Sequence, residues 1–168
     1  MKDDKKQLFR KGVSALILNE KDELLLVNLQ SFEIKYFAIP GGGIEPNETL
    51  ESAVYREIEE ELGIKNNNLK LIGTSAEPLL IHFKTNKLTR DGIEYDGMER
   101  YFFGFRFVGD DREIKLQDEE IRSYKWVSFA DLKDYLLFEN QLEETTKKIA
   151  EIFHTKHSPS FNKLSGHL

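Results

Sequence analysis

The 168-residue chain contains no cysteine. That absence excludes disulfides, thiolate metal sites and a cysteine nucleophile, and it suits a reducing cytoplasm, the expected location. No apolar run approaches the roughly 20 residues that span a bilayer. The opening "MKDDKKQLFRKG" lacks the apolar stretch of a secretion signal. Positive charge is in deficit, with 24 Lys and Arg against 30 Asp and Glu and a net charge of −6. A chain so charged offers no extended nucleic-acid surface, and a small anionic substrate must be met by local cations. Repeats, low-complexity stretches and linkers are missing too. With 39% hydrophobic and 32% charged residues, the composition is that of one soluble domain long enough to bury a core, as a monomer or a homodimer.

Several segments read as strands: Gly12–Asn19 and Leu24–Leu29 as a hairpin around "EKDE", parts of Leu69–Phe83, Glu99–Gly109, and a last short one in "YKWVSF". In the fourth of these, Tyr101, Phe103, Phe105 and Phe107 alternate onto one face, the pattern of a half-buried strand, with Arg100 and Arg106 on the other. "KYFAIPGGG" reads as a short strand stopped by a proline and three glycines. "NETLESAVYREIEEELG" is a helix capped by Asn47 or Thr49 and ended by Gly63. Ser128 is placed to cap a second helix, and "NQLEETTKKIAEIFH" forms a terminal one. Lys84–Gly97 is polar and reads as a loop. The fold class expected is α/β (α+β), a mixed sheet flanked by helices, with one domain over residues 1–153 and a polar, mobile tail over 154–168.

The helix raises the functional question, because four of the five positions from Glu57 to Glu61 are glutamate. On a helix Glu57, Glu60 and Glu61 share a face and repel one another, while Glu59 points away and Val54, Ile58 and Leu62 form an apolar stripe. Such a face is either solvated or built to hold a hard divalent cation such as Mg²⁺, which takes oxygen ligands. The surrounding spacing decides between them. From Gly42 the chain runs five residues to Glu48, seven more to Arg56-Glu57-Ile58, then one to Glu60-Glu61 and one to Gly63-Ile64. Seven exact and two apolar matches at fixed spacing arise by chance about once in a million. The pattern resembles the Nudix box, and the strand order around it resembles a Nudix (MutT-like) hydrolase, whose α/β/α sandwich the resemblance implies here.

That resemblance implies roles for particular residues. Glu57, Glu60 and Glu61 would hold Mg²⁺, with Mn²⁺ as a possible substitute, together with a carbonyl near Gly42. Glu48 and Arg56 would pair structurally and lock the glycine loop to the helix. The reaction implied is hydrolysis of the diphosphate linkage in a nucleoside diphosphate derivative. Water attacks phosphorus and a carboxylate takes its proton; Glu60, Glu61 and Glu120, six residues before Trp126, are the candidates. Tyr36 and Tyr101 are candidates to stack a base, Arg100 to reach a phosphate, and the loop Lys84–Gly97 to set specificity. The four histidines lack ligand spacing. Ala38 and Gly41 stand where enzymes acting on dinucleoside polyphosphates or RNA 5′ ends usually carry glutamine. The glycine-rich version looks more like enzymes of nucleoside triphosphates. ADP-ribose or sugar nucleotides, and a non-catalytic nucleotide-binding regulator, are the alternatives.

Overall fold

The computed structural model describes residues 6–88 and 92–153. Seven strands form one mixed sheet: β1 (Phe9–Leu18), β2 (Leu24–Leu29), β3 (Gly41–Gly43), β4 (Leu69–Thr74), β5 (Leu79–Leu88), β6 (Glu94–Phe107) and β7 (Ile121–Val127). The order is β4-β6-β1-β2-β7, with β3 also on β1 and β5 also on β6. Among the described residues only β1 and β6 pair in parallel; the other pairs are antiparallel. Helix α1 (Leu50–Leu62) covers one face and α2 (Gln141–Phe153) the other.

Alternation along β1 explains why both faces can be covered. Val13, Ala15 and Ile17 join Ala53, Val54, Ile58 and Leu62 of α1 in one core, which also takes Phe103, Phe105 and Phe107. Leu16 and Leu18 join Phe102 and the Ile149, Ile152 and Phe153 side chains of α2 in a second. Successive side chains of a strand point to opposite faces, so a strand apolar at both parities must lie between two layers.

Three expectations need correction. The glycines taken as a stop signal are themselves a strand: Gly41, Gly42 and Gly43 pair with Ser14, Val13 and Gly12. Ahead of them only Ala38 bridges, to Val27. The polar segment read as a loop supplies both arms of a hairpin, with Lys87 opposite Tyr95 and Leu88 opposite Glu94. Ladder hydrogen bonds are made by the backbone and need no apolar side chains. Ser128 caps no α-helix; its Oγ bonds Asp131 at 3.1 Å, and Phe129–Asp134 is 3₁₀. In that turn Leu132 alone is buried, too little apolar surface to hold a longer helix down. The expected tail, 154–168, lies outside the described residues.

Helix α1 ends as the sequence indicates. Thr49, not Asn47, accepts the Ser52 amide at 3.1 Å, and Gly63 adopts φ 68° while its amide bonds the Glu59 carbonyl at 2.9 Å. A Cβ on Gly63 would also lie 2.9 Å from the Lys115 carbonyl oxygen. Gly63→Ala should therefore cost about 1–2 kcal/mol from the left-handed backbone alone, and more if Lys115 cannot yield. Chemical denaturation measures it; an unchanged midpoint would show that the cap is not strained.

Candidate active site

The site forms where α1 passes over β3. Arg56 is its hub. Its Nε and Nη2 bond the two carboxylate oxygens of Glu48 at 2.7 and 2.9 Å, and Nη2 also bonds the Gly43 carbonyl at 3.0 Å. Nη1 reaches Glu57 at 3.0 Å and Glu60 at 3.1 Å. The side chains of Arg56 and Glu48 are only 21% and 11% exposed. The Arg56 guanidinium holds the Glu48 carboxyl below its ordinary pKa, and Glu48 in turn raises that of Arg56.

Glu57 and Glu61, one turn apart, face β3. A Cβ on Gly42 would fall 2.5 Å from the Glu57 carboxylate. Only glycine permits that approach. The Glu61 side chain is buried and accepts a hydrogen bond from the Gly41 amide. Burial raises its pKa to about 8, and the charge and hydrogen bond of neighbouring Glu57 add to the shift. Burial also raises Glu57, against the opposing pull of Arg56. The two carboxyl groups share a hydrogen bond and hence a proton. A divalent cation could displace that proton, and the carboxylates, the bare glycine backbone and the absence of soft ligands suit a hard, oxygen-seeking ion.

The third carboxylate lies apart. Glu60 is 57% exposed and turned to Arg56. Among the described residues no three acidic, histidine or cysteine side chains converge as a ready-made metal set. Glu59 points away from the site, pairing with Lys65 at 2.7 Å on the open surface. Glu120 is exposed, in a turn whose Gln117 amide bonds the Glu61 carbonyl at 3.0 Å.

The expected substrate contacts divide. Tyr36 stacks on Phe138, ring centroids 4.6 Å apart, and Phe32 meets Phe138 edge-on at 5.1 Å. The loop carrying Tyr36 is held by Asn28, whose amide donates to the Glu33 and Tyr36 carbonyls, and by Arg122, which bonds Asn28, Phe32 and Gln30. Tyr101 packs against the α1-side core, with its hydroxyl bonded to Glu99. Arg106 is committed to Asp22 and the Asn19 carbonyl. Arg100 lies in β6 opposite Gly12.

Sequence reasoning missed Phe138, Arg122 and Arg10, whose guanidinium lies over Gly43. The one signal for Arg122 is its place two residues after Glu120; Phe138 and Arg10 gave no local signal.

With this geometry in view, the comparisons are specific. A family model described as NUDIX domain matches residues 8–149. The chain belongs to the Nudix family and is a hydrolase of pyrophosphate bonds. It is 31% identical over 144 residues to an RNA pyrophosphohydrolase of Pelagibacter ubique, covering 82% of this chain and 88% of that one. It is 27% identical over 165 residues to the RNA pyrophosphohydrolase of Haemophilus influenzae, covering 92% and 81%. Among solved structures, the fold matches a MutT protein from Methanosarcina mazei (TM-score 0.58, 22% identity, 96% of each chain). It also matches the dihydroneopterin triphosphate pyrophosphohydrolase of E. coli (TM-score 0.63, 15% identity, 84% and 97%).

Two predictions follow from the geometry. In a double-mutant cycle on Glu48→Gln and Arg56→Gln, the coupling should be about 1.5–3 kcal/mol, the range for hydrogen bonds to charged groups. Additive melting effects would show the two side chains to be independent. The second concerns pH. Glu61, its pKa raised from 4.5 to about 8 by folding, binds its proton more tightly in the folded chain. In EDTA its contribution is full below the ordinary carboxylate range and is lost as pH rises through about 8. Wild-type melting should therefore fall more steeply over that window than melting of Glu61→Gln. Parallel curves would refute the shift.

Proposed function

We propose that the protein is a Mg²⁺-dependent hydrolase of the diphosphate linkage in a nucleotide bearing a 5′-polyphosphate, acting in the cytoplasm. The observation that carries this reading is the Glu57 carboxylate set against the bare backbone of Gly42, with the buried Glu61 one helical turn on. Glu57 and Glu61, with Glu60 once it turns from Arg56, would hold the ion, aided by a carbonyl near Gly42; Mn²⁺ could substitute. When bound, a divalent ion offsets phosphoryl charge and lowers the pKa of water.

The chain's own groups do the rest. Arg56 keeps the glycine strand and α1 in register, so that carboxylates and backbone meet the substrate at fixed separation. Water attacks one phosphorus, the bond to the bridging oxygen breaks, and a carboxylate takes the proton of the attacking water; Glu60, Glu61 and Glu120 are the candidates for that role. The Tyr36–Phe138 stack, with Phe138 42% exposed, offers an aromatic surface to a base. Relatives named RNA pyrophosphohydrolase make a 5′-triphosphorylated RNA end the first substrate to try. An RNA end presents the same 5′-triphosphate as a nucleoside triphosphate, a dinucleoside polyphosphate shares its phosphoanhydride linkages, and neither needs an extended cationic surface.

The test is a panel of these compounds with Mg²⁺ and with EDTA, products separated by chromatography. Turnover should require the metal; an unchanged rate in EDTA would overturn the reading. Glu60→Gln and Glu61→Gln should lower kcat by orders of magnitude, while Glu59→Gln, on the far side of the helix, should be nearly silent.

A further inference from the structure

Strand β7 pairs with β2 in regular antiparallel register from Val127 to Ser123, and there it slips. Asn28 lies opposite Ser123 and Leu29 opposite Ile121, so Arg122 is an extra residue with no partner across the ladder. A bulge of this kind re-aims a side chain away from the direction that simple alternation would give it. Here the side chain is a guanidinium. Its Nη1 donates to Asn28 Oδ1 at 2.6 Å and to the Phe32 carbonyl at 3.1 Å, and its Nη2 donates to the Gln30 carbonyl at 3.2 Å. All three acceptors are uncharged, and they belong to the end of β2 and the loop 30–36 that follows it. A planar fork serves several oxygens in this way, where lysine offers only a point charge.

Asn28 continues the hold. It is fully buried, and its amide donates to the Glu33 and Tyr36 carbonyls at 3.0 and 2.6 Å. Together Arg122 and Asn28 fix the loop bearing Phe32 and Tyr36, the two rings that meet Phe138. The same loop is fastened to the turn that carries Glu120. The Gln30 amide donates to the Glu120 carbonyl at 2.8 Å, and Gln30 Nε2 donates to the Asp118 carbonyl at 3.0 Å. That turn is moored in its own right to α1. The Glu120 and Ile121 amides return to the Gln117 carbonyl, the Gln117 amide donates to the Glu61 carbonyl at 3.0 Å, and the Lys115 amide donates to that of Leu62 at 2.7 Å. Carbonyls in the last turn of a helix lack partners within it, so this segment completes the end of α1. Gln30 and the turn are exposed, and water competes for their bonds. The half-buried guanidinium and the buried Asn28 are the firm end of the run.

We propose that Arg122 is a positioning residue that makes the aromatic loop and the Glu120 turn one unit, so that a base seated on the rings fixes that turn against the end of α1. The inference rests on the hydrolase reading above and deepens it: recognition of the base acts on the chemical step as well as on affinity. A base-bearing substrate is then distinguished from a bare polyphosphate in kcat, because its binding orders the site. Arg122 itself touches no substrate; its effect runs through Gln30 and the loop.

Hydrogen exchange of backbone amides reads this without turnover. The probe is adenosine monophosphate in Mg²⁺, which carries a base and a phosphate but no anhydride to cleave. In wild type it should slow exchange of the Tyr36 amide in the loop and of the Glu120 and Ile121 amides in the turn. In Arg122→Met without nucleotide, these amides should exchange about five- to tenfold faster, the size of one net hydrogen bond, while the core amides of β1 and α1 keep their rates. Adenosine monophosphate should then leave the turn unprotected. With the substrate that the panel selects, kcat of Arg122→Met should fall about ten- to a hundredfold at temperatures well below melting, the scale of lost positioning. If Arg122→Met does not fold, Arg122→Lys carries the test and should show the same losses in smaller measure.

Protection of the turn retained in the Arg122 variants overturns the proposal. So does a wild-type turn that does not respond to adenosine monophosphate, whether or not the loop responds. Faster exchange throughout the sheet of Arg122→Met, with kcat unchanged, shows a residue that only stabilises the fold and overturns it too. Absence of turnover across the whole panel, with the response of the turn intact, is a separate failure. It defeats the hydrolase reading and leaves the coupling of loop and turn standing.

Discussion

One guanidinium ties the site together. Arg56 bonds a loop through Glu48, a strand through the Gly43 carbonyl and its own helix through Glu57 and Glu60. No other side chain could do this. Lysine offers a point charge, whereas the planar fork of arginine places parallel donors on one carboxylate and leaves others for a carbonyl and a second acid. The position of α1 over β3 follows from it, and with it the distance from the helix carboxylates to the glycine backbone. The pair is also partly buried, so its hydrogen bonds are poorly screened by solvent. Loss of either partner would leave a charge with little water to accept it.

Glycine is the complementary constraint. Gly42 permits the Glu57 carboxylate to sit against the strand, while Gly63 lets the chain turn back after α1. Between these two residues lie the apolar stripe of Val54, Ile58 and Leu62, all fully buried, and the acids on the next face. Packing and chemistry therefore use one helix without competing for positions. The stripe fixes the rotation of the helix about its axis, and that rotation points Glu57 and Glu61 at β3 and Glu59 at solvent.

These features could be read in the sequence because they obey a local period. A helix repeats every 3.6 residues wherever it lies, so the phasing of Glu57, Glu59 and Glu61 and of the apolar stripe needs no tertiary information. The Glu48–Arg56 pair was legible through its place in the Nudix pattern. What was not legible depends on partners distant in the chain. Tyr36 and Phe138 meet across about a hundred residues. The polar arms of the β5–β6 hairpin are strands by virtue of backbone ladders, which leave no apolar signature. Gly41–Gly43 carries the residues of a turn and becomes a strand because β1 presents an unpaired edge where it has diverged from β2. Glu60 was placed with its neighbours by period alone, whereas its salt bridge to Arg56 draws it outward.

Charge completes the argument. The chain carries a net charge of −6 and concentrates acids where an anionic substrate must bind. Long-range attraction cannot supply the affinity, because the field of the whole protein opposes it. The cations that matter must therefore act at contact range, where geometry rather than net charge decides. The arginines around β3 are disposed in that way: Arg56 is saturated by carboxylates and holds the scaffold, Arg10 lies over Gly43 at the surface, and Arg100 is half-buried within charge range of Glu61 and Glu57. Such a division of labour lets one small acidic domain keep its framework neutralised internally.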